Sequence, residues 1–138
     1  MKNYRLLEHT ADIGFTTQAH SLKGLFKKTW LSIVDIAVEK QSPIDRQKHK
    51  YVITQKASNL EELLVNWLNE LLSMSAALGL VFTDIRIKKL NHQFIDAEAS
   101  GTDVCNYKIN TEIKAATYHQ LKVYKDGFFW HAQVILDV

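Results

Sequence analysis

The sequence is poor in the residues that build disulfide-rich or membrane-spanning proteins. Its 138 residues include one cysteine, one proline and five glycines. The lone thiol, Cys105, excludes an internal disulfide framework and a zinc site made of four thiolates, and it fits a reducing compartment. No run of eighteen apolar residues is present, and the opening MKNYRLLEHT lacks the apolar core of a signal peptide. These features predict a cytoplasmic protein without a membrane segment.

Charge is nearly balanced as well. Seventeen basic and fifteen acidic residues give a formal net charge of +2, which supplies no strong field for attracting nucleic acid. Hydrophobic residues make up 46% and charged residues 23%, as in ordinary globular proteins. A chain of this length typically folds around one core, so the sequence predicts a single domain over residues 1–138.

Two segments carry apolar residues at the three- and four-residue spacing of a core-facing helix. The first covers 21–38 and has Ser21 in position to cap its N-terminus. The second covers 58–78, where Ser58 and Glu61 form the pattern of a capping box and Gly79 suits the C-terminal cap. Both segments are therefore predicted to be helices packed on the core.

Much of the remaining sequence alternates between apolar and polar residues, which predicts strands. Asp126-Gly127 and Asn91-His92 lie between such segments and are typical of hairpin turns. Together these patterns predict an α+β fold with a largely antiparallel sheet and two core-packed helices. The predicted strands are 3–8, 12–19, 49–56, 81–90, 93–100, 115–124 and 128–136.

The same alternation assigns faces to the last two strands. In 128–136 the even positions, from Phe128 to Leu136, form the apolar face, so Asp137 is predicted to point away from the core. In 115–124, uninterrupted alternation places Thr117 and His119 on the apolar side and Lys114 outward.

The hexapeptide EHTADI, residues 8–13, concentrates polar groups between two hydrophobic stretches. Asp12 there has two interpretations. It is either a turn residue bonded to its own backbone, or a ligand for a hard cation, which carboxylates and backbone carbonyls in a turn suit. Local chemistry leaves both interpretations open.

The sequence ends in ILDV, which places the Asp137 side chain next to the carboxylate of Val138. If the last strand lies beside the first hairpin, these groups and Asp12 form an oxygen-rich cluster that suits a divalent cation. A zinc site is not expected, because the six histidines include no helical i, i+4 pair and there is no Cys-x-x-Cys. Sequence patterns of nucleotide-binding loops and serine nucleophiles are also missing.

Two other charged residues, Glu70 and Lys114, have an ordinary explanation and a functional one. Glu70 lies outside the Leu/Trp stripe of its helix, as solvated residues do. Lys114 is placed to pair with Glu112 at the surface, or to bind phosphate or a partner's acid beside the carboxylate cluster. For His119, a hydrogen-bonded core histidine is the more common outcome.

Taken in order, the segments EHTADIGF (8–15), LVNWLNELL (64–72), EIKAATYH (112–119) and VILDV (134–138) resemble the archease family. The resemblance covers essentially the whole chain. The sequence departs from the family pattern at Ala116, where the family more often has valine, and in the segment GTDVCNYKIN, which does not align clearly with the family.

The resemblance implies a fold of two strand-helix-strand-strand units, one inserted in the other. It also implies a protein cofactor, not an enzyme, that promotes guanylylation and multiple turnover of an RtcB-type RNA ligase in tRNA splicing and RNA repair. A divalent cation, calcium or else Mg²⁺ or Mn²⁺, is expected to bind at Asp12, Asp137 and Val138. The resemblance further implies roles in ligase activation for Glu70, Lys114, His9 and His119.

Two other functions are compatible with the sequence. A metal-dependent hydrolase needs a general base, for which Glu8 or His9 is available. An RNA-binding or chaperone module needs positive charge, although such lysines are usually just solvated. The lysines available for that purpose are Lys27, Lys28, Lys48, Lys50, Lys88 and Lys89.

Overall fold

Two α-helices are combined with antiparallel strands, as predicted for an α+β fold. The structure is a computed structural model that describes residues 3–7 and 12–138. The helices are α1 (Leu22–Ala37) and α2 (Leu60–Leu78). The strands in the described ranges are β1 (Arg5–Leu7), β2 (Ile13–Ala19), β3 (Val38–Lys40), β4 (His49–Lys56), β5 (Leu80–Leu90), β6 (Phe94–Asp103), β7 (Tyr107–Ile109), β8 (Ala115–Asp126) and β9 (Phe129–Asp137).

The strands form three sheets in which neighbouring strands are antiparallel. A four-stranded sheet has the order β1-β2-β9-β8, a three-stranded sheet has the order β4-β6-β5, and β3 pairs with β7. The predicted hairpins are present between β5 and β6 and between β8 and β9. In the second hairpin, Gly127 has a φ of 49°, a conformation that glycine adopts without strain.

Both helices begin and end close to the predicted residues. The Ser21 hydroxyl accepts a hydrogen bond from Gly24 N at 3.0 Å, and Gly79 ends α2 in the left-handed conformation. The cap predicted at Ser58 is wrong by one residue, because the Asn59 side chain accepts from Glu62 N at 2.9 Å. Asn59 and Glu62 have the three-residue spacing of a capping pair just as Ser58 and Glu61 do, so spacing alone does not separate them.

The core lies between the helices and the inner faces of the two larger sheets. A tryptophan of each helix forms a hydrogen bond to a neighbouring element. Trp30 Nε1 of α1 donates to Phe82 O of β5 at 2.8 Å, and Trp67 Nε1 of α2 donates to Phe26 O of α1 at 3.1 Å. Buried indole N–H groups need such partners. None of the helices in the described ranges is both long and apolar enough to cross a membrane.

The short pair β3 and β7 has no counterpart among the predicted strands. Three residues are too few to show an alternating pattern. The turn Val104–Asn106 precedes β7, and Asn106 Oδ1 accepts from Ile44 N at 2.7 Å and Asp45 N at 2.9 Å. This side chain holds the exposed loop around Pro43, which is a surface loop as predicted.

On the outer face of the three-stranded sheet, Glu98 lies between two lysines. Its oxygens are 2.8 Å from Lys88 Nζ and 3.0 Å from Lys50 Nζ. Hydrogen bonds from Lys88 and then Lys50 lower the pKa of Glu98 to about 2. The folded state therefore favours the carboxylate, and its stabilising contribution is present above about pH 5 and lost as the pH falls toward 2.

We accordingly expect Glu98→Gln to show a smaller loss of melting temperature than the wild type between pH 6 and pH 3. Thermal denaturation followed by circular dichroism at several pH values measures this. Glu39→Gln, on the exposed strand β3, is the matched control and should follow the wild type. Equal acid sensitivity of the Glu98→Gln variant and the wild type would contradict the prediction.

Candidate functional site

The two aspartates predicted to share a site lie at the same end of neighbouring strands. β9 lies directly beside β2 in the four-stranded sheet, with β1 on the other side of β2, and Ile13 pairs with Leu136 as the last residues of the ladder. Asp12 directly precedes Ile13, and Asp137 directly follows Leu136. The last strand therefore lies beside the first hairpin, which is the condition on which the predicted cluster depends, and Asp137 is exposed, in agreement with its predicted direction away from the core.

Two carboxylates at facing positions of adjacent strands repel each other unless a cation lies nearby. Asp12 is half-buried, and Val138 is half-buried and packs against the core. Within residues 3–7 and 12–138, no three His, Cys, Asp or Glu side chains are grouped closely enough to hold a metal ion. Besides these two carboxylates, the terminal carboxylate of Val138, main-chain oxygens and water are ligands that a hard cation accepts.

Strand β8 begins at the same end of the sheet. Ala115 pairs with Asp137, and the Lys114 N–H donates to Asp137 O at 2.8 Å. Lys114 is exposed, which agrees with its predicted outward direction. The segment EIKAATYH thus starts where ILDV ends, and a lysine lies next to the two aspartates along the sheet.

Asn69 of α2 connects this end of the sheet to the helix, and sequence reasoning missed it. Its Oδ1 accepts from Ala116 N at 2.7 Å, and its Nδ2 donates to Ala116 O at 3.1 Å. Because β8 is an edge strand, these backbone groups would otherwise have no strand partner on that side. An asparagine beside the Leu/Trp stripe of α2 is the signal that could have identified it. Glu70, the next residue, is half-buried.

A large bulge interrupts β8 in the middle of the same motif. Residues 118–121 lie opposite Val134 alone, between the pairs Thr117–Ile135 and Lys122–Gln133. Gln120 has a φ of 50°, and its carbonyl accepts from Gln133 Nε2 at 2.8 Å. Such bulges re-aim side chains and often occur beside functional sites.

The bulge corrects two predicted orientations in β8. Ala116 and Val123 are both buried, so the core-facing positions change from even to odd across the bulge. Thr117 lies on the other face from Ala116, where its hydroxyl donates to Ile135 O at 2.9 Å, and His119 is exposed instead of facing the core. A period-two pattern cannot anticipate inserted residues, which is why the prediction was wrong. In β9 the predicted apolar face holds from Ala132 to Leu136, but Phe128 is exposed in the turn.

Two of the candidate residues, Glu8 and His9, lie outside the described residues. The hydrolase interpretation used them as its general base. The one cysteine of the sequence, Cys105, hydrogen bonds with Asp103, and this raises the pKa of its thiol above the usual range. A less acidic thiol is a poorer nucleophile at neutral pH.

The six lysines considered for RNA binding come from several elements, and some of them are already paired. Lys27 and Lys28 lie on α1, whereas the other four lie at or near the three-stranded sheet. Lys48 is 3.3 Å from Asp84, and Lys50 and Lys88 both contact Glu98. Half of this set is thus already paired with carboxylates.

The fold places the chain among small α+β proteins with antiparallel sheets, and Asp12 and Asp137 lie at the same end of its four-stranded sheet. The family model described as the Archease protein family (MTH1598/TM1083) matches residues 4–138. The chain belongs to the archease family.

Relatives of known name and structure agree with this assignment. The chain is 34% identical to protein archease of Methanosarcina acetivorans, over 99% of this chain and 97% of the relative. It is also 34% identical to protein archease of Pyrococcus abyssi, over the full length of both.

Two solved structures have the same fold. Protein 1598 of Methanobacterium thermoautotrophicum matches with a TM-score of 0.73 at 24% identity over all of both chains. An archease of Thermotoga maritima, described as a possible chaperone, matches with a TM-score of 0.64 at 22% identity over 96% of this chain and 94% of that one.

Proposed function

We propose that the protein is a cofactor of an RtcB-type RNA ligase and promotes guanylylation and multiple turnover of the ligase in tRNA splicing or RNA repair. The proposal rests on membership of the archease family and on one structural observation. β2 and β9 place Asp12 of the HTAD motif and Asp137 of the LDV motif at the same end of one sheet. These are the two motifs that the family resemblance connects with a common site.

In this proposal Asp12, Asp137 and Val138 hold a divalent cation, for which calcium is the first candidate. The fit is chemical: two carboxylates and neighbouring main-chain oxygens are hard ligands, and a cation relieves the repulsion between the carboxylates. When bound, the cation supplies positive charge of the kind that stabilises a transferring phosphoryl group. The chain's own contribution is to fix Asp137 through the Lys114 N–H and to present Lys114 beside it.

The neighbouring motif EIKAATYH is proposed to contact the ligase together with Glu70. Lys114 and the bulge residue His119 are both exposed. Asn69 and Glu70 are neighbours on α2, and Asn69 forms two hydrogen bonds with Ala116 of β8, which connect this helix to the motif. His9 is included in this proposal on the resemblance alone.

The test is a ligase guanylylation assay with the wild type, Asp12→Ala and Asp137→Ala at saturating Ca²⁺, Mg²⁺ or Mn²⁺. Each variant is expected to lose most of the stimulation, since one carboxylate cannot replace two. Each substitution removes one of two like charges at facing positions of adjacent strands, so the melting temperature is expected to stay the same or rise.

Asp84→Ala is the matched control, because it removes an exposed carboxylate from an ion pair on the other large sheet. It should stimulate the ligase like the wild type. Wild-type stimulation by both Asp12→Ala and Asp137→Ala would refute the role of the carboxylate pair. Failure of the wild type to bind or stimulate the ligase would refute the proposed function itself.

A further inference from the structure

The far end of the four-stranded sheet carries exposed aromatic rings on the face away from the core. Gln18 and Tyr124 both pair with His131, so these side chains form one row across β2, β9 and β8. The Tyr124 and His131 rings are stacked, with centroids 4.9 Å apart and an angle of 11° between their planes. The next row contains Phe129, whose ring is 4.6 Å from that of His20.

We call this set the aromatic platform: His20, Tyr124, Phe128, Phe129 and His131. Phe128, at the tip of the hairpin, is 83% exposed, and Tyr124 is 48% exposed. Exposure of this extent at a large aromatic ring leaves apolar surface in water, which is costly and typical of a binding site. The π-face of Tyr124 that points away from His131 is the natural place for a flat ligand.

Two lysines lie beside the aromatic platform. Lys122 pairs with Gln133 in the row next to His131 and is exposed, and Lys28 reaches Gln18 O with its Nζ at 2.8 Å. Lys125 does not belong to this face, because it pairs with Trp130 on the core side of the hairpin, with its Nζ 6.0 Å from the Trp130 ring. The acid within this group, Asp126, is 2.7 Å from His131 Nε2. Positive charge therefore exceeds negative charge at this surface.

We propose that the aromatic platform binds single-stranded nucleic acid by stacking bases on Tyr124 and Phe128 while Lys122 and Lys28 contact phosphates. Planar bases and a regularly charged backbone match exposed rings flanked by cations on one sheet face. The platform is distinct from the Asp12 and Asp137 site, because His131 lies toward the opposite end of β9 from Asp137. The inference does not depend on the ligase, so it can be tested on the protein alone.

The test is fluorescence anisotropy with labelled oligomers of about 12 nucleotides, a length within the usual range of such sites. The arms are single-stranded RNA, single-stranded DNA of the same sequence, and the RNA duplex. We expect tighter binding of the single strands than of the duplex, because paired bases cannot stack on the platform. The ratio of the two single-stranded affinities identifies which nucleic acid the site prefers, and tight binding of either supports the proposal.

Tyr124→Ala and Phe128→Ala are each expected to weaken single-strand binding by about 5- to 100-fold. Tyr124→Phe keeps the ring and should bind nearly like the wild type. Lys122→Gln should weaken binding to all sequences and reduce the slope of log affinity against log salt by about 1. Tyr118→Ala is the control, since Tyr118 is 59% exposed on the same strand but lies in the bulge, outside the aromatic platform.

Two results would overturn the proposal: wild-type affinity in both alanine variants, or duplex binding as tight as single-strand binding. If the same alanine variants bound nucleic acid normally but failed to stimulate the ligase, the platform would be a protein-docking surface instead. These residues are exposed, so unchanged circular dichroism spectra will show that the variants are folded.

Discussion

Replacing Asn69 by alanine is expected to lower the free energy of unfolding by about 2 to 5 kcal/mol. The substitution removes both hydrogen bonds to Ala116 and leaves a backbone N–H and a carbonyl at a buried residue without partners. Urea denaturation measures the loss. We also expect weaker ligase stimulation below the melting temperature, because β8 and Lys114 would no longer be fastened to α2.

Asn66→Ala is the control for that experiment. Asn66 lies on the same helix and donates one exposed hydrogen bond, to Lys56 O at 3.3 Å. Its loss should cost less than about 1 kcal/mol. Equal destabilisation by the two substitutions would show that the contact of Asn69 with Ala116 has no special importance.

The second large effect is expected at Gly101, where Gly101→Ala should destabilise the protein by about 3 kcal/mol or more. A Cβ at this position would collide with the carbonyl of Val81, and it would also lie 3.1 Å from the Phe82 Cα. Those atoms belong to the neighbouring strand β5, whose pairing with β6 would have to break or shift. The measurement is again urea denaturation, with the soluble yield as a second readout.

Gly79→Ala separates crowding from backbone conformation. Gly79 has a φ of 65°, but nothing lies within 4 Å of its added Cβ. The left-handed conformation alone costs about 1 to 2 kcal/mol for a non-glycine residue. A Gly101→Ala variant no less stable than Gly79→Ala would mean that β5 and β6 can separate at little cost.

The sequence predicted the helices and longer strands because each contains several repeats of a clear period. The start of α2 was one residue off, since Ser58 and Asn59 are both good caps and each precedes a glutamate by three residues. β3 and β7 escaped prediction because they are too short to have a period. β3 directly follows α1 and pairs with β7, which is far from it in the sequence, so this pairing depends on the tertiary structure.

For the site, the sequence indicated that Asp12 and Asp137 belong together, but only through the condition that the last strand lies beside the first hairpin. That condition is met, because β2 pairs with β9 and Ile13 lies opposite Leu136. The bulge at 118–121 could not be predicted, because alternation is read on the assumption that no residue is inserted. Asn69 was overlooked because a polar residue on a helix usually faces water.

The order β1-β2-β9-β8 also has a consequence for synthesis of the protein. Residues 49–103 contain α2 and the whole three-stranded sheet, so that part can assemble while later residues are still being translated. The four-stranded sheet, in contrast, requires β9 to insert between β2 and β8, which is a long-range and slow pairing. The Asp12 and Asp137 pair therefore forms only after Asp137 has left the ribosome. Any function that needs both aspartates therefore depends on this late, long-range pairing of β2 with β9.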